Sequence, residues 1–354
     1  MDPQQSFCPN LDCPARGHTG RGNIKIHCHK RRRYRCVICK RTFSERRGSP
    51  FLYAHTPPET ITQVLTLIAF GCPIPAIEAA FGFQRRTVRA WLDKAGTHSR
   101  AVHEAFVLRP QVLHQVQVDE IFVRTQGGWQ YLFMALCVST RLWLGGLISP
   151  RRDKKATRRL AQIVRRCAQI GPILVICDGF WHYRAAFCRA FRQPLRTGRP
   201  GRPRLVIWSS LVVVQHVKRR GVVHLAQGTL ALFVQLWRRV GQGVVSTSYI
   251  ERLNGTFRER LRVLTRRTRG LARSAPLLEQ AVYFLGGVYN FCCVHSSLGQ
   301  RAARTPAMAA GLVSERWTVA YLLWYRVPPE RWHPPRHRGP LSKRERALLA
   351  RWGS

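Results

Sequence analysis

Lysine and arginine outnumber aspartate and glutamate by 59 to 17 in this 354-residue chain, so any compact fold it adopts carries 59 − 17 = +42 formal charges at pH 7. Self-repulsion on that scale is relieved when a densely negative partner lies against the surface, and nucleic acid is the first expectation. The chain is nonetheless built to fold: 45% of its residues are hydrophobic, with 16 Phe, 10 Trp and 9 Tyr. That composition supports packed cores and excludes a disordered basic arm. Two or three domains are expected, because single cores stop growing near ~250–300 residues. The opening MDPQQSFCPN lacks the charged start and apolar run of a secretory signal, which argues for a protein that stays inside the cell. The longest apolar stretch, residues 64–83, is interrupted by Gly71, Pro73, Pro75 and Glu78 and does not read as a bilayer span. No long amphipathic helix with a clean apolar side points to a membrane surface either.

Five of the twelve cysteines fall within the first 39 residues, in a segment poor in aliphatic residues. In a chain that reads as intracellular, clustered cysteines indicate metal ligation rather than disulfides. Cys36-x-x-Cys39 has the spacing of a zinc knuckle, and Cys8-x4-Cys13 is a looser partner. Together they offer the four thiolates that tetrahedral zinc requires, which predicts a small metal-stapled module over residues 1–56. Cys28, His18, His27 and His29 are rival ligands. The remaining cysteines lie in apolar surroundings, where a thiol acts as a small hydrophobe.

From 59 to 95 apolar residues recur at helical spacing in three short runs: Ile61, Val64, Leu65 and Ile68; Ile77, Ala80 and Phe81; Val88, Trp91 and Leu92. Gly71, Pro73 and Pro75 separate the first two, and Gly82 makes a tight turn into the third. The layout is that of a helix-turn-helix in residues 57–110, with a third helix over 84–95 presenting Arg85, Arg86 and Arg89 outward toward DNA. Glu78 precedes the turn glycine at a position usually small and apolar, and would be awkward there if buried.

Beyond residue 113 the runs LHQVQVDEIFVR, YLFMALCVS and RLWLGGLIS read as three meandering strands. Residues 153–170 then read as a helix and ILVICD as a buried strand. A second helix follows over 181–191, with a basic loop, RTGRPGRPR, behind it. Short strands near 205–208 and 221–225 and a long helix over about 247–266 complete the pattern, which is α/β. Acids are scarce enough here to inspect singly. Asp119 lies within the first strand, Asp178 ends the ILVIC strand, and Glu251 opens the long helix. Carboxylates so placed can converge on Mg²⁺, which takes oxygen ligands from a few side chains plus substrate phosphate.

The segments VQVDEIF (116–122), ILVICDGFWHY (173–183), TSYIERLNGTFRERLRVL (247–264) and YNFCCVHSSL (289–298) resemble the DDE transposases of bacterial insertion sequences, within the retroviral-integrase superfamily. With the front of the chain included, the likeness extends to transposases of the insertion-sequence-one type. The resemblance implies an RNase H-like catalytic core ordered β-β-β-α-β-α-β-α over 111–298, preceded by a zinc ribbon and a helix-turn-helix and followed by a basic, partly ordered tail over 299–354. It makes Asp119, Asp178 and Glu251 the catalytic triad, holding two Mg²⁺ or Mn²⁺ ions, with one Zn²⁺ on Cys8, Cys13, Cys36 and Cys39. Glu251, Arg252, Asn254 and Arg258 match the family's helix motif in full. Arg252, Asn254, Arg258 and Arg262 are its expected DNA contacts.

The 72 residues between Asp178 and Glu251 exceed the short spacing of retroviral enzymes, and Cys292-Cys293-Val294 replaces basic and proline positions before His295. Glu120 is the rival of Asp119, one residue on and therefore on the opposite strand face. The implied partners are the element's terminal repeats and target DNA, engaged by a homo-oligomer in the bacterial nucleoid, with no membrane. An RNase H-like nuclease without strand transfer, and a transcription regulator with an inactive core, are the competing readings.

Overall fold

The computed structural model describes all residues except 199–200, 218–220, 241–243, 266–270, 300–302, 335–338 and 354. The chain divides into two units, Met1–His55 with Trp324–Ser354, and Thr56–Leu323.

In the first unit β1 (Ile24–Cys28), β2 (Arg33–Cys36) and β3 (Thr42–Ser44) form an antiparallel sheet in that order. Arg32 and Lys40 take positive φ in the two turns, at 46° and 60°. Cys8, Cys13, Ala15, Ile24, Tyr34, Cys36 and Phe43 are buried together as its core, a cluster too small to order such a segment by hydrophobic burial alone.

The second unit opens with α1 (Pro58–Ala69), α2 (Ile74–Phe81) and α3 (Arg85–Phe106). Gly82 caps α2 in the left-handed conformation, at φ 70°, where glycine carries no Cβ penalty. α3 continues well past residue 95, the end expected from sequence, and its second half packs against a later helix. Glu78 is not buried; its carboxylate pairs with Arg85 at the surface.

β4 (Gln115–Thr125), β5 (Gly128–Cys137) and β6 (Trp143–Ser149) form the expected meander. α4 (Lys154–Cys167) follows, capped by Asp153 Oδ1, which accepts from the Lys155 and Ala156 amides. Next come β7 (Ile173–Asp178), α5 (His182–Ala190) and a hairpin of β8 (Arg192–Leu195) and β9 (Arg204–Ile207). That hairpin flanks the GRPGRP loop, of which Arg199 and Pro200 lie outside the described residues. β10 (Leu211–Val217), β11 (Val222–Gln227) and α6 (Leu230–Val240) lead into α7 (Ser248–Arg260), α8 (Ala275–Gly287), α9 (Pro306–Ala309) and α10 (Val319–Trp324).

The sheet order is β11-β10-β7-β4-β5-β6, with β10, β7 and β4 parallel and the other pairings antiparallel. A mixed α/β unit with such a central sheet is consistent with an RNase H-like core. α4 and α5 lie on one side of it. On the other, Ile250, Leu253 and Phe257 of α7 join Ile121, Leu132, Met134 and Trp143 in the main hydrophobic cluster. α6 adds Leu236 to a second cluster with Leu174, Ile176, Val212 and Val214.

α7 ends at Arg260, short of the expected 266. Leu261 leaves the helix at φ −113°, and Leu261 and Leu264 turn back into the cluster that holds Phe257. Burial of those two leucines outweighs continuation of an arginine-rich helix into solvent.

Residues 299–354, expected as a partly ordered tail, carry α9, α10 and α11 (Lys343–Trp352), the last opened by a Ser342–Glu345 capping box. Within the first unit Trp352 is 3% exposed, joins the cysteine-lined core, and its carbonyl lies 2.7 Å from His18 Nε2. The C-terminal residues thereby add an indole to a core whose other rings, Tyr34 and Phe43, come from the N-terminal segment. Among the described residues no helix is long and apolar enough to cross a membrane.

Candidate active site and metal centre

β4 and β7 are hydrogen-bonded only as far as Gln117↔Ile176. Beyond that pair β4 continues with β5 as its partner, and the opening beside β7 is where the acids gather. Carboxylate oxygens of Asp119, Glu120 and Asp178 all lie within 4.8 Å of one another. Strand alternation sends Asp119 toward α7 and Glu120 toward α4, yet at a strand that has lost one neighbour both reach the carboxyl end of β7. Glu120, a rival on the opposite face by sequence, is thus part of the same cluster.

The surroundings fix each acid differently. Asp119 Oδ2 accepts from Asn254 Nδ2 at 2.8 Å. The Glu120 side chain is 5% exposed and accepts two bonds from Arg152, from Nε at 3.0 Å and a terminal nitrogen at 3.2 Å. Arg152 also bonds Asp178 Oδ2, so one guanidinium bridges two carboxylates, and it lies 4.1 Å over the Phe180 ring. Asp178 Oδ1 accepts the Phe180 amide at 3.0 Å.

Burial pushes the Glu120 carboxyl up to about 7, with Asp178 and Asp119 adding to the rise and Arg152 opposing it. Burial works against the Arg152 charge, but Glu120 and Asp178 outweigh it and raise its pKa. Asp119, Glu120 and Asp178 together make an oxygen-donor set. Oxygens around an octahedral Mg²⁺ at ~2.1 Å are at most ~4.2 Å apart, so small rotations bring this donor set into a coordination shell.

Glu251 lies outside the 4.8 Å group, in the first turn of α7, where Thr247 Oγ1 donates to it. α7 is tied to β4 by Gln117. Its Nε2 donates to the Ser246 carbonyl at 2.8 Å and its Oε1 accepts the Ile250 amide at 3.0 Å. That amide is one of the donors a helix N-terminus leaves without an intrahelical partner. Asn254, expected as a DNA contact, is instead buried and committed to Asp119. Arg252 and Arg262 are exposed and Arg258 is half-buried. His182 packs its ring against Trp181 and Phe180. Arg85, Arg86 and Arg89 lie exposed on the first two turns of α3, Arg85 paired with Glu78.

In the first unit the thiols of Cys8, Cys13, Cys36 and Cys39 all lie within 4.8 Å. Cys8 Sγ is 3.6 Å from Cys39 Sγ, and Cys13 Sγ is 3.8 Å from Cys36 Sγ. A zinc tetrahedron with Zn–S ~2.3 Å has edges of ~3.8 Å, which these two pairs already match, and the other thiol pairs lie within 4.8 Å. Thiol donation from Cys13 and Cys8 holds Cys36 far below the ordinary cysteine range, while Cys13 is raised. Zinc binds the thiolate form, so loading this set would release thiol protons. Cys28, His27 and His29 are not in this group, nor is His18.

Sequence reasoning missed Arg152 and Gln117. Arg152 had a signal: it immediately precedes the helix-capping Asp153. Gln117 offered no signal of its own: with Gln115 and Asp119 it alternates with Val116 and Val118, as the polar face of an ordinary strand does.

Residues 113–199, the segment holding Asp119, Glu120, Arg152 and Asp178, match the DDE domain family of insertion-sequence transposases. No curated protein matches the chain.

Proposed function

We propose that this chain is an insertion-sequence DDE transposase that binds the terminal repeats of its element and catalyses metal-dependent DNA cleavage and strand transfer, with Asp119, Asp178 and Glu251 as the metal ligands. One observation carries the reading: Asp119 and Asp178 meet where β4 and β7 part, and Asn254, one helical turn from Glu251, donates to Asp119. Two bound Mg²⁺ or Mn²⁺ ions would activate a water or a DNA 3′ hydroxyl on one side and stabilise the leaving oxygen on the other.

The chain's own residues prepare that chemistry. Gln117 and Asn254 dock α7 so that Glu251 approaches the acid pair. Arg152 limits repulsion among the three carboxylates, and Glu120 serves as its anchor. Arg252, Arg258 and Arg262 supply the positive field that an acidic centre needs to hold phosphate. Residues 1–56 form a zinc ribbon on the four cysteines, and residues 57–110 a helix-turn-helix whose Arg85, Arg86 and Arg89 read the repeat. The active species is a homo-oligomer on DNA.

The test is cleavage and joining of a labelled terminal-repeat duplex in Mg²⁺ or Mn²⁺. Asp119→Asn, Asp178→Asn and Glu251→Gln should each abolish both reactions while DNA binding persists. Glu120→Gln should retain cleavage within about tenfold, because an amide oxygen still accepts from Arg152. Activity surviving in Glu251→Gln, or lost only in Glu120→Gln, refutes the assignment.

A further inference from the structure

α7 has a second working face. At 100° per residue, Tyr249, Arg252, Thr256 and Arg260 lie about 100–180° round the helix from Glu251. They line a cavity of about 440 Å³ whose remaining wall comes from β5, Arg141 and residues 289–297. The acids therefore sit on one side of a helix roughly 10 Å thick and this cavity on another.

The lining holds three guanidiniums, from Arg141, Arg252 and Arg260, and no carboxylate. Two of the three are held in place. Arg141, at φ 56°, donates from Nε to Ser297 Oγ at 3.2 Å, bonds the Val138 carbonyl, and lies 3.9 Å over the Tyr249 ring. Arg260 contacts Cys293 Sγ at 3.1 Å and covers the Phe70 ring at 4.9 Å. His295 Nδ1 accepts from Ser297 Oγ at 2.9 Å. Burial, then Arg141 and Arg252, lower its pKa, a sign of the positive potential in the cavity. The apolar part of the lining is Leu136, Leu253 and Tyr289, which are mostly buried, with Val294 exposed at the mouth; Thr256, Ser296 and Ser297 add hydroxyls.

A phosphate contact on duplex DNA needs cations on an open surface, and it needs neither a recess nor an apolar wall. A cationic rim above a partly apolar recess suits a group with an anionic end and a flat, weakly polar body, as unstacked nucleotides have. We propose that this cavity receives one unstacked nucleotide of the DNA strand, its base against Leu253 and Tyr289 and its phosphate on Arg141, Arg252 and Arg260. The inference rests on the reading that DNA is the partner, and it adds a second contact point, on the face of α7 away from Glu251.

The experiment measures binding of the full-length protein to a fluorescent short oligothymidylate and to an abasic phosphodiester strand of the same length. The base-bearing strand should bind about tenfold tighter, within the range that base stacking supplies. Filling the recess by Thr256→Trp, or at its mouth by Val294→Trp, should remove that advantage while leaving abasic-strand binding within about twofold. Arg252→Gln should weaken both strands. Equal binding of the two strands by the unaltered protein, or an advantage that persists in both tryptophan variants, overturns the pocket while leaving the DNA reading intact. Failure of the unaltered protein to bind either strand, or the terminal-repeat duplex, overturns the DNA reading itself.

Discussion

Replacing Gln117 with leucine tests the joint between α7 and the sheet. Gln117 is 1% exposed, and its amide spends both ends on the start of α7. Leucine leaves the Ile250 amide without its partner in a buried setting, which amounts to ~1–3 kcal/mol. The Ser246 carbonyl is half-buried and can recruit water, so its loss adds only ~0.5–1 kcal/mol. The sum, ~1.5–4 kcal/mol, is a large share of the ~5–15 kcal/mol typical of a folded domain. Urea denaturation followed by tryptophan fluorescence should register it as a lower midpoint at unchanged slope.

Cleavage should fall further than stability does, because α7 carries both Asn254 and Glu251. Misplacing a catalytic group by ~1 Å can lower a rate ~100-fold. Gln117→Glu separates the two ends: it keeps an acceptor for the Ile250 amide, loses the donor to Ser246, and adds negative charge beside Asp119. Its stability should fall at least as far as that of the leucine variant at neutral pH, and recover as the pH is lowered and the buried carboxyl protonates. A leucine variant within ~0.5 kcal/mol of the unaltered protein and with undiminished cleavage would show that Gln117 does not set the position of α7.

Cys36→Ser should lose the one zinc per chain that metal analysis of the full protein should find; retention of stoichiometric zinc would show that a rival ligand completes the set. Ala at Arg85, Arg86 and Arg89 together should lower preference for terminal-repeat over random DNA, each base-reading arginine being worth ~1–3 kcal/mol; an unchanged ratio in competition binding means that α3 is not the reader. Burial holds His103 down to about 3 from an ordinary 6.5, among the Trp143 and Tyr283 rings, the Leu144 carbonyl at 3.1 Å and the nearby Arg100 and Arg166. The unfolded chain takes up this proton below 6.5 while the fold refuses it, so stability falls as pH drops from 6.5 toward 3, by ~2 kcal/mol between pH 7 and 5. His103→Gln should flatten that part of the urea-midpoint profile, and an unaltered profile refutes the assignment.

Legibility in the sequence followed how locally each feature is determined. The meander β4–β6, the helix starting near residue 153 and the four-cysteine set depend on alternation, helical periodicity and spacing, all of which a one-dimensional pattern carries. β10 was missed because Leu211–Val217 pairs on both edges and is mostly buried. Such a strand shows no polar alternation to distinguish it from any apolar run. The end of α3 was misplaced for a related reason. Gly96 reads as a helix stop, but a Cβ there would lie 2.2 Å from the Gln280 carbonyl of α8. Its absent side chain serves a close helix crossing, and only the tertiary partner reveals that use.

Strand parity gave the correct directions for Asp119 and Glu120 and still separated them wrongly. Parity assumes a strand flanked on both sides, and β4 loses β7 after Gln117. Sites built where two strands part draw residues from both faces. An acid pair at consecutive strand positions, in a chain with so few acids, therefore indicates a sheet opening more strongly than it indicates one functional residue and one bystander.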